Sequence, residues 1–314
     1  MFKHMLAVFG LAMAAPAALM AAETVLQSSR DVLVKGESAN DFIGSPSAQD
    51  PHGLVVCDLN RDGDGDLVVG APRYGSDGRV YVVFGGVAMQ DAYDLLTDAD
   101  FTVTGSDASG NISGSLACGD LNGDSVDDLV IGAPSAGTND GRVYIIYGVS
   151  TLAGELDLES DSADVVITGS EGQLGLDVAV ADLNGDLIGD LVIGAPYANG
   201  DPLGAGARPY AGKVSILYGG SSLPGVIDLD ATPPDVQIYG NNENGAESQI
   251  GHRLITGDFD GDDTQDVVFG FFHAQVAGWS RSGYSGVFWG LLGGPALSSE
   301  YDLALGQYRS EEHT

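Results

Sequence analysis

Basic residues are scarce in this sequence: 12 Lys and Arg stand against 45 Asp and Glu, a formal charge of −33. A surface that negative repels nucleic acid and anionic membrane and attracts cations, so neither of the first two is expected as a partner. Charged residues of both signs make up only 18% of the chain, while glycine reaches 47 residues and no run shows helix-length periodicity. Long amphipathic helices are thereby excluded, and many short strands joined by tight turns are expected. No Gly-x-Ser-x-Gly elbow, His-Glu-x-x-His helix or phosphate-binding glycine loop occurs, so catalysis by those routes is excluded and no catalytic residue is assigned. Of the 5 histidines, His4 and His313 lie near the termini, and His52, His252 and His273 stand isolated. Only Cys57 and Cys118 carry sulfhydryls. They are read either as a disulfide or as two buried small hydrophobes.

What is present begins with an apparent export signal. Lys3 and His4 precede an apolar, Ala-rich stretch from Leu6 to Met20, with small residues at Ala21 and Ala22. That run is too short to span a membrane comfortably, and no other membrane-spanning candidate follows. Residues 1–22 are expected to be a cleaved signal peptide. The mature chain is then secreted, held at the cell surface, or periplasmic, without membrane insertion.

The rest repeats itself. Four acidic segments begin at Asp58, Asp120, Asp182 and Asp258, spaced 62, 62 and 76 residues apart. Each leads directly into an apolar run, as in Leu129-Val-Ile131, and three then read Gly-Ala-Pro, from Gly70, Gly132 and Gly194. The fourth has Gly270-Phe-Phe272 instead. A second run follows (Arg79 to Phe84, Arg142 to Tyr147, Lys213 to Tyr218, Val287 to Leu292), then a third (Phe101 to Thr104, Asp164 to Thr168, Asp235 to Tyr239). The run ahead of each acidic loop, such as Leu176 to Ala181, completes four strands per unit. Four-stranded units of this length predict an all-β fold, a β-propeller with four blades present. Val32 to Lys35 resembles the third run and is expected to close the ring against the last blade.

The acidic segments carry the chemistry. Oxygen-bearing side chains recur at positions 1, 3, 5 and 9: Asp58, Asn60, Asp62 and Asp66; Asp120, Asn122, Asp124 and Asp128; Asp182, Asn184, Asp186 and Asp190; Asp258, Asp260, Asp262 and Asp266. Position 7 varies among Asp64, Val126, Ile188 and Thr264 and is expected to offer its backbone carbonyl. This is the ligand order of an EF-hand-like loop shortened to nine residues. Hard oxygens without His or Cys favour calcium over zinc or copper. A single such loop is explained as a turn, and a high acidic content alone as a solubility device. Four copies at one spacing crowd like charges, which costs stability unless a cation is bound. About four calcium sites, structural in role, are expected.

These residues resemble the FG-GAP repeat proteins, whose propeller is like the head of integrin α subunits. The match rests on the Asp-x-Asn-x-Asp-x-x-x-Asp loops, the Gly-Ala-Pro triplets and an apolar-Gly pair ahead of each loop. That pair is Leu174-Gly175, Ile250-Gly251 and, displaced upstream, Ile43-Gly44, with Ile112-Ser113 in the second copy. The resemblance covers about residues 32 to 305. It implies calcium loops between the first and second strands of each blade, on one face, with partner-binding loops on the other. Two of those are enlarged, Tyr197 to Gly212 and His273 to Gly286, the latter holding Trp279, Arg281 and Tyr284, residue types favoured at binding hot spots. Asp77-Gly-Arg79 and Asp140-Gly-Arg142 look like adhesion tripeptides but sit at corresponding turns, so turn chemistry explains them.

The family ring usually has seven blades, which need roughly 430 residues. Four repeats therefore suggest a fragment over 23–308, the runner-up being a complete four-bladed ring. Residues 309–314, Arg-Ser-Glu-Glu-His-Thr, match the translation of a common sequencing adapter and are read as an adapter-derived tail. The expected function is a secreted calcium-binding module that recognises an extracellular protein or glycan in adhesion. The alternatives are the accessory propeller of a larger secreted hydrolase and an inert spacer.

Overall fold

The computed structural model describes residues 33–36, 43, 53–72, 78–86, 92–105, 112, 115–159, 162–170, 172–200, 208–221, 223–240, 248–271, 287–295 and 297–303. The signal segment, the 309–314 tail, residues 201–207 of the first enlarged loop and all of the second with Trp279, Arg281 and Tyr284 lie outside them. So do His4, His52, His273 and His313.

Strands are numbered along the chain, starting from β1 (Leu33–Lys35). The first strands of the four units are β2 (Leu54–Cys57), β7 (Ser115–Gly119), β12 (Val178–Ala181) and β17 (Leu254–Gly257). The second are β3 (Asp66–Ala71), β8 (Asp128–Ala133), β13 (Asp190–Ala195) and β18 (Asp266–Phe271). The third are β4 (Arg79–Val83), β9 (Arg142–Ile146), β14 (Lys213–Leu217) and β19 (Val287–Leu291). Outer strands β6 (Phe101–Thr104), β11 (Val165–Thr168) and β16 (Val236–Tyr239) complete three units, and all these neighbours pair antiparallel.

The sheets stack as propeller blades, with the first strands β2, β7, β12 and β17 adjoining in sequence. Side chains alternate across each strand, so a blade sends one set of residues to each neighbour. Leu129 and Ile131 pack with Val68, Val80 and Val82 of the first blade, while Val130 packs with Val178 and Leu191 of the third. Being covered on both faces is why the second strands read as unbroken apolar runs instead of alternating ones. Outer strands alternate buried and half-buried residues, as in Phe101–Thr104.

Three described sheets have five strands where four were expected. The additions are β10 (Gly154–Asp157), β15 (Val226–Asp228) and β20 (Glu300–Asp302), each parallel to the outer strand of the preceding unit: Leu156 faces Val103, Ile227 faces Ile167 and Tyr301 faces Ile238. Successive units are thus interlocked by a strand exchanged backward. The same rule corrects the expected closing strand. β1 pairs parallel with β5 (Ala92–Asp94), Val34 facing Tyr93, and so serves as the outer strand of a sheet preceding the first full unit, not as a partner of the last blade. The described end of the first enlarged loop is tied in as well, since both Nη atoms of Arg208 donate to the carboxylate of Asp302 and Nη1 also donates to the Gly240 carbonyl.

On the side opposite the acidic loops, the apolar-Gly pair of one unit seats on glycines of the unit before. A Cβ on Gly132 would lie 2.1 Å from the Gly175 carbonyl oxygen, and one on Gly194 2.0 Å from that of Gly251. Gly141, at φ +89°, bridges to Leu174, and a Cβ there would lie 2.3 Å from the Leu174 nitrogen. Asp140-Gly-Arg142 is therefore a turn and docking element, and Gly78, at φ +83°, meets Ile112 in the same way. Cys57 and Cys118 form a disulfide that joins the first strands of blades one and two.

Two stability measurements follow from these contacts. Gly141→Ala should cost clearly more than Gly154→Ala, whose φ of +85° imposes the same strain of about 1–2 kcal/mol with nothing within 4 Å; urea unfolding of both variants checks the order. Reduction of the disulfide, which closes a 61-residue separation, should lower unfolding free energy by about 4 kcal/mol, as read by denaturation with and without reductant.

Candidate cation-binding loops

Each acidic segment connects the first and second strands of its blade. Its carboxylates do not project freely, because the backbone winds around them. In the second loop Oδ1 of Asp120 accepts N–H bonds from Gly123 at 2.7 Å and Asp124 at 3.0 Å, and Oδ2 accepts that of Ser125 at 2.7 Å. Oδ1 of Asn122 accepts the Asp124 N–H, and Oδ1 of Asp124 that of Val126, both at 2.9 Å. The third loop repeats this atom for atom around Asp182, Asn184 and Asp186. The first and fourth keep its plan around Asp58 and Asp258.

This winding requires left-handed backbone at positions 4 and 6 in every copy: Arg61 and Gly63, Gly123 and Ser125, Gly185 and Leu187, Gly261 and Asp263. A residue with a side chain costs about 1–2 kcal/mol there, and each loop holds one. The strain gathers oxygen atoms. In the fourth loop Asp258, Asp260 and Asp262 bring one carboxylate oxygen each within 4.8 Å of one another. In the other three copies Asn60, Asn122 and Asn184 stand at the position of Asp260, so an amide oxygen replaces one carboxylate.

Positions 7 and 9 behave differently from that cluster. The side chains of Val126, Ile188 and Thr264 approach Gly148, Gly219 and Gly293 at the ends of the third strands; Val126 and Ile188 can offer only a carbonyl oxygen, while Thr264 turns its methyl to Gly293 and has a hydroxyl as well. Asp66, Asp128, Asp190 and Asp266 are buried. Their Oδ2 atoms accept the N–H of position 2 (Leu59, Leu121, Leu183, Phe259) at 2.7–2.9 Å. Their Oδ1 atoms accept the N–H of Gly85, Gly148, Gly219 and Gly293 at 2.7–3.0 Å. Burial is the largest influence on Asp128 and pushes its carboxyl up to about 7, against those backbone bonds and with the help of nearby Asp124 and Asp120. The same causes raise Asp190 to about 6 and raise Asp66.

The donor set of each loop is hard oxygen throughout, anionic at three or more positions. It fits a calcium-sized cation and offers nothing to a soft metal. Each oxygen of Asp66 and Asp266 keeps a second lone pair after its backbone bond, whereas in Asp190 Oδ2 also accepts the Asn184 N–H at 3.2 Å and Oδ1 the Asn184 side-chain amide at 3.4 Å. Sequence reasoning placed positions 1, 3, 5, 7 and 9 in one loop but did not see that position 9 also ties the loop to the third strand. The signal was the glycine ending every third run. His252 is buried in edge-to-face contact with Tyr197, a packing position at a strand end.

Comparison with known proteins agrees with this architecture. The FG-GAP repeat family model matches residues 51–83, 114–146 and 174–217, which contain the first three loops. The chain is 37% identical over 224 residues to phosphatidylinositol-glycan-specific phospholipase D of Homo sapiens, covering 67% of this chain and 25% of that protein. It is 28% identical over 230 residues to integrin alpha-5 of Xenopus laevis, covering 70% of this chain and 20% of that protein. Integrin alpha-PS2 of Drosophila melanogaster is 29% identical over 220 residues, with 60% and 15% covered. The chain thus matches about a quarter or less of the length of these relatives, which include an enzyme and non-enzymes. With three repeats matched and a fourth built on the same strand and loop plan, the chain is an FG-GAP repeat protein.

Proposed function

We propose that this FG-GAP propeller is a calcium-stabilised recognition module that acts outside the cytoplasm, its cations structural and its ligand an extracellular protein or glycan. The observation that carries the reading is the fourfold recurrence of one strained loop with three or more carboxylates in its sequence, three of which come within 4.8 Å of one another in the fourth copy. In each, positions 1, 3, 5 and 9 and the position-7 oxygen would hold the ion. The cation supplies the positive charge that offsets carboxylate repulsion and lets the loop keep its left-handed residues. Export rests on residues 1–22, and the recognition role on the enlarged loops and on similarity to integrin alpha chains. A second reading, the accessory propeller of a larger secreted hydrolase, is favoured by the similarity to a phospholipase D. Sequencing the gene on both sides of the region that encodes these residues separates the two, because a further domain with a catalytic constellation selects the second.

Calcium at about 100-fold over its dissociation constant should add about 2.7 kcal/mol per site. Thermal unfolding in calcium and in chelator checks this, and identical melts would overturn the cation assignment. Asp120→Asn combined with Asp124→Asn should remove about one site's share and leave the remainder.

The buried position-9 carboxyls also give a pH dependence. In the metal-free protein Asp128 and Asp190 keep their protons above the ordinary value of 3.8, up to about 7 and about 6, while the unfolded chain has lost them. The folded state binds more protons in that window, so stability from these groups falls as pH rises through it. Calcium replaces the proton. Its stabilisation should be larger at pH 7.5 than at pH 5, measured by melting at both.

A further inference from the structure

Neighbouring acidic loops are joined by a repeated hydrogen-bond path. The N–H of position 8 in one loop donates to the carbonyl of position 1 in the loop before it: Asp127 to Asp58 at 3.3 Å, Gly189 to Asp120 at 2.8 Å and Gln265 to Asp182 at 3.1 Å. That N–H belongs to the same planar peptide group as the carbonyl of position 7, the group of Val126, Ile188 or Thr264. On the other side, the accepting carbonyl shares its peptide with the N–H of position 2, which donates to the position-9 carboxylate: Leu59 to Asp66, Leu121 to Asp128 and Leu183 to Asp190, at 2.8–2.9 Å. Two peptide groups therefore connect the position-7 oxygen of one loop to the position-9 carboxylate of the loop before it, three times over. Between the first two loops a second strut runs the other way, since the Asp58 N–H donates to Oδ2 of Asp127 at 2.9 Å.

We infer that these paths couple the cation sites, so that filling one loop raises the affinity of the loop before it. This rests on the cation reading above. Two effects compete. A cation on the position-7 carbonyl polarises the path, which strengthens the hydrogen bond on the position-9 carboxylate and makes it a slightly poorer ligand. The same cation also fixes position 8 and through it the backbone of position 1 in the neighbour. Polarisation alters a bond by roughly 10–30%, whereas leaving one residue's backbone unfixed costs about a factor of ten. Ordering dominates, and the coupling is positive. The coupling is reciprocal, as linkage requires, and strongest between the first two loops because of the Asp127 strut.

The test is a calcium titration of the whole chain followed by amide exchange in peptides covering each loop. In Asp120→Asn/Asp124→Asn, which disables the second loop, the first loop should need about tenfold more calcium for protection than in the wild type. Asp127→Ala alters no ligand position and should move the midpoint of the first loop severalfold while leaving that of the third unchanged. Unchanged midpoints for the first loop in both variants overturn the coupling and leave the cation reading standing. Equal movement of the first and third loops in Asp127→Ala also overturns it, as a general loss of stability. Exchange that ignores calcium in every wild-type loop removes the cation reading itself, and the coupling with it.

Discussion

A carboxylate buried between apolar strands must find hydrogen-bond donors or give up its charge. In each unit the aspartate that opens the second strand finds two, the N–H of the residue after the loop's first aspartate and that of the glycine closing the third strand. That pair of bonds holds the acidic loop down on its own sheet. It also orients the residue at position 2, and Leu59, Leu121 and Leu183 are each fully buried in the core between their blade and the next. The acidic chemistry and the hydrophobic stacking of blades are thus one structure, and a disturbance of either reaches the other within two residues.

Much of this was legible in the sequence. The strand assignments rested on β-branched runs bounded by Gly, Pro and Asp, and the second strands, covered on both faces, are the most regular of them. The loops were legible for the same reason, since crowded aspartates are rare enough without a cause to reveal their period. The exchanged strands were not. Segments such as Val226–Asp228 are three residues long and half-exposed, too short for alternation to show. What recurs there is an apolar-Asp-Leu pattern, as in Tyr93-Asp-Leu95 and Tyr301-Asp-Leu303, and its meaning depends on a partner strand that lies 59 residues away for Tyr93 (Val34) and 63 for Tyr301 (Ile238). The closing role expected of β1 failed for the same reason, because its partner Ala92–Asp94 carries no strand signal of its own. The disulfide was left open because alternation places Cys57 and Cys118 on opposite faces of their strands, and only stacking turns those faces toward each other.

Repeats that touch only their neighbours derive stability from interface terms as much as from the units themselves. The two sides of these blades build the interface from different materials. On one side glycines let backbone meet backbone, as Gly132 meets Gly175 and Gly194 meets Gly251, and nothing in the medium alters that fit. On the other, loops rich in like charge hold strained residues such as the fully solvated Leu187, 89% exposed.

Position 2 shows how far the second kind of contact depends on a following unit. Leu59, Leu121 and Leu183 have one and are 0% exposed, whereas Phe259, with no later blade among the described residues, is 56% exposed although its N–H still binds Asp266. The loop's internal hydrogen bonds therefore form without a successor, but its apolar contribution does not. Sequence sets the geometry of the glycine side once and for all. The acidic side, by contrast, takes its strength from whatever neutralises its carboxylates and from the blade that follows, so the rigidity of the stack is set from that side.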